Sequence, residues 1–176
     1  DPMPADRPLT LRSARTQDVP VIQALVEPLA RERVLLQKEA VAYYEAIQEF
    51  VVAEEADGTL AGFGALHVMW QDIAEVRTLA VSEAHRGAGV GHLLIEELLD
   101  RARAVGVERV FCLTFEVEFF RRHGFEVMAD QSAVDPEVYA ELLRSTDEGV
   151  AEFLDLARVK PNTLGNTRML AYLDQT

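Results

Sequence analysis

Ala74-Glu75-Val76-Arg77-Thr78-Leu79-Ala80-Val81, followed after Ser82-Glu83-Ala84-His85 by Arg86-Gly87-Ala88-Gly89-Val90-Gly91, is the stretch on which the fold turns. Its first segment alternates apolar and polar residues with the period of a strand. Its second is a glycine-rich turn, and beyond it Leu94, Ile95, Leu98, Leu99 and Ala102 recur at helical spacing up to Val105. Strand, glycine turn and helix are the parts of a phosphate site. Backbone N–H groups converge, the helix N-terminus adds partial positive charge, and glycines let a ligand come close.

Two familiar glycine motifs fail here. A dinucleotide fingerprint beginning at Gly87 needs its third glycine at position 92, which is His92. A nucleotide-triphosphate loop needs Gly-Lys-Ser/Thr, and nothing of that kind follows Gly91. What remains is Arg-x-x-Gly-x-Gly, carried by Arg86, Gly89 and Gly91.

Outward from this stretch, Phe50–Glu54, the turn Asp57-Gly58, and Leu60–Val68 read as a hairpin leading into Ile73–Val81. Leu9–Arg12 reads as a first strand. Asp18 reads as the N-cap of a helix with Pro20 in its first turn, and Pro28 as a kink or early end. A second helix over Glu39–Gln48 is expected to present Val41, Tyr44 and Ile47. After the long helix Gly106 is the natural C-cap, and Arg109–Phe115 is a strand parallel to Ile73–Val81 under a right-handed crossover. A short helix at Val117–Arg122 ends at Gly124, and Phe125–Met128 starts another strand. Pro136–Arg144 and Gly149–Leu156 read as helical, and Met169–Leu173 as the closing strand. Residues 1–8 are expected to form a frayed, disordered tail, with Asp1-Pro2 ahead of Met3 reading as an expression scar. Residues 9–176 are expected to form one domain.

Seventeen basic residues against thirty acidic ones give a formal charge of −13, which disfavours nucleic acid and anionic membranes as partners. Screening over roughly 10 Å still leaves room for a small anionic ligand in a local cationic pocket. The single cysteine, Cys112, excludes an internal disulfide or a cysteine metal cluster and reads as a buried strand residue. No apolar run is long enough to span a bilayer and no charged-then-apolar signal segment opens the sequence, so a cytoplasmic protein is expected; separately, no metal is expected.

Leu79-Ala80-Val81 with Arg86-Gly87-Ala88-Gly89-Val90-Gly91 resembles the acetyl-CoA motif of the GCN5-related N-acetyltransferases. Phe119-Phe120-Arg121-Arg122-His123-Gly124-Phe125 resembles that family's second motif, which ends in Gly-Phe. The resemblance implies an α/β fold (α+β): a mixed, mostly antiparallel sheet of about six or seven strands with a splayed central parallel pair, flanked by helices. It implies acetyl-CoA as co-substrate, its pyrophosphate on Arg86–Gly91, its pantetheine arm along Leu79–Val81, and Thr114 among the contacts. Within the family, Glu75–Val81, Leu113-Thr114 and the tail 155–170 resemble the acetyltransferase domain of bacterial N-acetylglutamate synthases, the tail matching their short actinobacterial form. That likeness implies acetylation of the α-amine of L-glutamate, or of L-glutamine, at the start of arginine biosynthesis. At 176 residues there is no room for the amino-acid-kinase domain of the longer forms, which argues against arginine feedback.

Acetyl transfer to an amine needs a base, because ordinary amines are protonated at neutral pH. Glu75 is the candidate, with His67 as the alternative. A backbone N–H near Leu79 is expected to polarise the thioester oxygen. Many family members place a tyrosine, as acid for the leaving thiolate, where this chain has Phe120; Thr114, Glu116 and Tyr139 are the substitutes, or the thiolate departs unaided. A glutamate acceptor brings two carboxylates, which want cations: Arg77 on the strand face of Glu75, and Lys160 and Arg168 in the tail, with Asn162 and Asn166 between them. Tyr43, Tyr44 and Arg33 are further candidates. The acidic surface favours instead a cationic amine such as a polyamine, aminoglycoside or peptide N-terminus, and Phe120 is compatible with an inactive acyl-CoA sensor. Homodimerisation is left open.

Overall fold

The computed structural model describes residues 8–32, 35, 38–128, 134–159 and 165–174. The expected tail, Arg33, Lys160 and Asn162 lie outside them, except that Pro8 and Asn166 are described. In chain order the elements are β1 (Leu9–Ser13), α1 (Val19–Arg31), α2 (Ala40–Glu45), β2 (Phe50–Glu55), β3 (Leu60–Trp70), β4 (Ile73–Val81) and α3 (Val90–Val105). There follow β5 (Arg109–Thr114), α4 (Val117–Arg121), β6 (Glu126–Val127), α5 (Pro136–Leu142), α6 (Glu148–Phe153) and β7 (Thr167–Tyr172). The strands form one mixed sheet in the order β1-β2-β3-β4-β5-β7-β6. β5 runs parallel to β4, while β1/β2, β2/β3, β5/β7 and β6/β7 are antiparallel. The parallel register joins Ile73, Ala74 and Glu75 to Arg109, Val110 and Phe111.

Contacts divide the chain into two compact units: one is Asp1–Leu66 with Val76–Arg101, the other His67–Glu75 with Ala102–Thr176. Each has its own apolar core. In the first, Val19, Ile22 and Val26 of α1 and Tyr43 of α2 pack with Phe50, Val52, Leu60, Phe63, Ala65 and Ala80. In the second, Ile73 and Phe111 pack with Leu142, Val150, Phe153 and Leu154, and the Phe111 and Phe153 rings meet edge to face at 5.5 Å.

The turn chemistry follows the sequence closely. Gly58 takes φ +90° in the β2–β3 hairpin, where its N–H donates to Glu55 O and the Glu55 N–H to Thr59 O. Gly106, at φ +102°, caps α3 through its N–H to Ala102 O and Arg103 O. Three local expectations change. α1 runs through Pro28 to Arg31, because its buried Ile22 and Val26 hold the helix while the proline removes only one backbone donor. α2 buries Tyr43 and leaves Val41 60% and Tyr44 44% exposed: the helix is short and gives way to a 3-10 turn at Ile47–Glu49, so an α period drawn through residue 48 picks the wrong face. Asp18 does precede α1, but its carboxylate accepts from the Arg15 N–H and from both Arg12 Nη atoms instead of from α1 amides. The Arg12 hydrogen bonds hold that carboxyl below the usual carboxylate range.

Candidate active site

In the first unit, β4 changes character at Thr78, whose φ of +54° is a strained value for a β-branched residue. Just past it, Leu79 and Ala80 lie against the glycines of β3. A Cβ at Gly62 would stand 2.8 Å from Ala80 O, 3.0 Å from Leu94 Cδ1 and 3.1 Å from Val90 Cγ1. A Cβ at Gly64 would stand 2.9 Å from both Leu79 Cδ1 and Leu98 Cδ1. Glycines in β3 therefore let the end of β4 and the start of α3 approach the strand closely.

The chain leaves β4 with the Ser82 N–H donating to Ala61 O, makes a 3-10 turn at Glu83–His85, and enters Arg86–Gly91. Gly87 and Gly89 both lie in the left-handed region, at φ +81° and +79°. The Ala88 N–H is taken by His85 O, and the Leu93 N–H by Gly89 O. The amides of Val90, Gly91 and His92 precede that first helical bond, at the positive end of the sixteen-residue α3. Arg86 is exposed, whereas the Val90 side chain is buried in the core and can offer a ligand only its backbone. These residues fit a pyrophosphate: backbone amides at a helix N-terminus, and two glycines where side chains would be strained.

The second unit holds Glu75, which is only 5% exposed and paired in register with Phe111. It is no solvent-facing edge carboxylate. Its charge reaches Cys112: burial first, then Glu75, pushes that thiol well above its ordinary range, so Cys112 is the inert core residue the sequence suggests. Thr114 is buried, and its Oγ1 accepts from the Glu116 N–H at 2.7 Å, leaving the hydroxyl proton to donate. Phe120 is core, edge to face on Phe119 at 5.2 Å and on Phe125 at 5.1 Å. Tyr139 lies largely at the surface of α5. His67 Nε2 stands 3.9 Å from Asp147 Oδ1, whose other oxygen accepts from the Val150 N–H and caps α6.

Arg168, expected as a substrate cation, also has a structural task. Its Nε donates to Glu152 O at 2.9 Å and its Nη2 to Phe153 O, so the guanidinium ties the C-terminal end of α6 to β7. Arg77 is half-buried, two residues along β4 from Glu75. The first unit thus brings together Leu79, Ala80, Val81 and Arg86–Gly91; β5 brings Glu75 and Arg168 to one strand through Phe111 and Leu113. Sequence reasoning missed Thr78, whose φ has no sequence signal, and left Gly62 and Gly64 without a role although glycine inside a strand marks close approach.

Comparison with known proteins supplies a context for this geometry. The profile of the Acetyltransferase (GNAT) family matches residues 21–125. An amino-acid acetyltransferase of Mycobacterium tuberculosis is 52% identical over 172 residues, covering 97% of this chain and 98% of that one. The crystal structure of Rv2747 from the same organism, in complex with CoA and a second ligand, superposes with a TM-score of 0.89 at 53% identity, over 94% of this chain and 99% of that one. An N-acetylglutamate synthase from Neisseria gonorrhoeae, complexed with coenzyme A and N-acetyl-glutamate, has a TM-score of 0.75 at 25% identity, over 96% of this chain and 36% of that one.

Proposed function

The chain belongs to the acetyltransferase (GNAT) family, and from that membership we propose that it transfers the acetyl group of acetyl-CoA to the α-amine of L-glutamate, or of L-glutamine. One observation supports an amino-acid acceptor, near-full-length identity of 52% with a protein named amino-acid acetyltransferase, and the choice of glutamate follows the similar fold solved with coenzyme A and N-acetyl-glutamate. Residues 9–176 then act as one acetyltransferase domain, in the cytoplasm, at the first step of arginine biosynthesis. Among the described residues no helix is long and apolar enough to cross a membrane.

Acetyl-CoA supplies an activated thioester. The amides of Arg86–Gly91 and the α3 N-terminus hold its pyrophosphate, and the backbone of Leu79–Val81 pairs with the pantetheine arm, supported by Thr114. Glu75 takes the proton of the attacking ammonium, directly or through water, and its burial in a low-dielectric site suits it to that work. The Leu79 N–H, turned by the kink at Thr78, polarises the thioester oxygen. Arg77 holds an acceptor carboxylate. Arg168 serves by fixing α6, and Lys160, beyond the described residues, remains a candidate second cation.

Coenzyme A release measured with glutamate, glutamine, lysine and spermidine tests the reading. Turnover with glutamate or glutamine is expected. Turnover with spermidine instead, the outcome a charge of −13 would favour, overturns the acceptor. Tight CoA binding without turnover on any amine makes the chain a sensor.

A further inference from the structure

A chain of three polar side chains, its histidine buried and its serine and glutamate half-buried, adjoins the glycine turn and takes no part in the chemistry above. His85, 4% exposed, is the last residue of the 3-10 turn and immediately precedes Arg86. Its Nδ1 lies 2.5 Å from Ser82 Oγ, and its Nε2 lies 3.0 Å from Glu55 Oε1. An ionised carboxylate only accepts, so Nε2 carries a proton and donates to Glu55. In the neutral ring Ser82 then donates to Nδ1; in the doubly protonated ring Nδ1 donates to Ser82 Oγ. Either way the three groups stay joined.

The three residues come from different parts of one unit: Ser82 follows β4, His85 opens the glycine turn, and Glu55 ends β2 at the hairpin. Backbone bonds follow the same path. The Ser82 N–H donates to Ala61 O, the His85 N–H to Ser82 O, and the Ala88 N–H to His85 O. The residue whose ring is tied at both nitrogens therefore also supplies the carbonyl that holds the middle of the glycine turn. At Gly87 and Gly89 the turn is open, for an added Cβ there would meet nothing within 4 Å. An apolar side chain would fill the place of His85 without the desolvation of a buried imidazole. A fully satisfied polar chain offers one ring orientation in exchange, which is how such networks specify a geometry.

We propose that His85 is a positioning residue for the anion-binding turn, the Ser82–His85–Glu55 chain setting the pose in which Arg86–Gly91 receives the pyrophosphate of CoA. The proposal rests on the acetyl-CoA reading of the turn and is independent of the amine. The test is calorimetric titration of CoA, and of pantetheine, which lacks the pyrophosphate, into wild type, His85→Phe, Glu55→Leu and the double variant. His85→Phe should weaken CoA by roughly tenfold, the equivalent of one charge-assisted hydrogen bond, and leave pantetheine unchanged. The double variant should be no worse than His85→Phe alone. Unchanged CoA affinity, or equal weakening of CoA and pantetheine, overturns the proposal. Where His85→Phe fails to fold, Glu55→Leu, which removes the acceptor of Nε2, carries the test: CoA affinity equal to wild type there is refuting. Because no amine is present, a failed glutamate assay leaves this result standing, whereas wild type that does not bind CoA sinks the acetyl-CoA reading itself.

Discussion

Replacing Gly62 by alanine probes the close approach on which the site geometry depends. The new Cβ would sit 2.8 Å from the Ala80 carbonyl oxygen, with Leu94 Cδ1 and Val90 Cγ1 at 3.0 and 3.1 Å. The first of these is backbone, so relief requires a shift of β4 itself, at about 1–3 kcal/mol for overpacking. Gly62 does not use a positive φ, so alanine also removes freedom from the unfolded chain and recovers about 0.4–1 kcal/mol. Taking the middle of that overpacking range, about 2 kcal/mol, the net loss is about 1–2 kcal/mol, a fall in Tm of roughly 2–8 °C for a chain of this size. Gly64→Ala is the control. Its Cβ meets only the Cδ1 atoms of Leu79 and Leu98, which can rotate away, so its net effect should stay within about 1 kcal/mol of zero. Thermal unfolding and the acetyl-CoA KM are measured for both, and Gly62→Ala should also raise that KM, since Ala80 lies in the pantetheine run. A Gly62→Ala protein as stable as wild type, or less damaged than Gly64→Ala, refutes the packing argument.

Glu75→Gln should lower kcat by roughly 10²–10⁴-fold and leave the acetyl-CoA KM within a small factor, as steady-state kinetics at saturating donor would show. Arg168→Gln removes the guanidinium bonds to the Glu152 and Phe153 carbonyls and should cost about 2 kcal/mol or more, seen as a lower Tm. An unchanged Tm with a raised amino-acid KM would make Arg168 a substrate contact after all. Asp18 has a lowered native pKa, chiefly from Arg12, so its stabilisation is complete above about pH 4 and is lost as pH falls through the native value. Asp18→Asn should therefore lower the urea midpoint at pH 7 and flatten its decline between pH 4 and pH 2.

What was legible in the sequence was local or periodic. The glycine turn, the Asp57-Gly58 hairpin, the Gly106 cap and the alternation of β4 each state their conformation within a few neighbouring residues. β5 could be placed parallel to β4 because a helix-length crossover leaves little other choice. What escaped were partnerships between residues far apart in sequence. Arg168 looks like a free cation until α6 presents two backbone carbonyls to it, and carbonyls have no sequence signature. His85 and Glu55 lie thirty positions apart, and neither predicts the other. α2 was misread for a different reason: six helical residues are too few to fix a phase, and the burial of Tyr43 against Phe50 decided it.

The position of Phe120 bears on how the reaction is divided. It is packed edge to face between Phe119 and Phe125 and is 6% exposed, so it contributes core, and no proton donor stands at that place in the second motif. Tyr139, an alternative acid by sequence, is on an exposed part of α5, and Thr114 has a hydroxyl whose oxygen is already accepting from Glu116. A threonine hydroxyl can stabilise a departing thiolate by donating a hydrogen bond without giving up its proton, and that is the most this set of residues offers to the leaving group. In the proposed reaction the proton to be managed is therefore the one on the attacking amine, and Glu75, buried on β4, is the carboxylate proposed to take it. In that proposal rate acceleration rests on presenting a neutral amine to a carbonyl polarised by the Leu79 N–H. This places the mechanistic weight on the two features of β4 that its simple alternation conceals, a carboxylate turned inward and a threonine at positive φ.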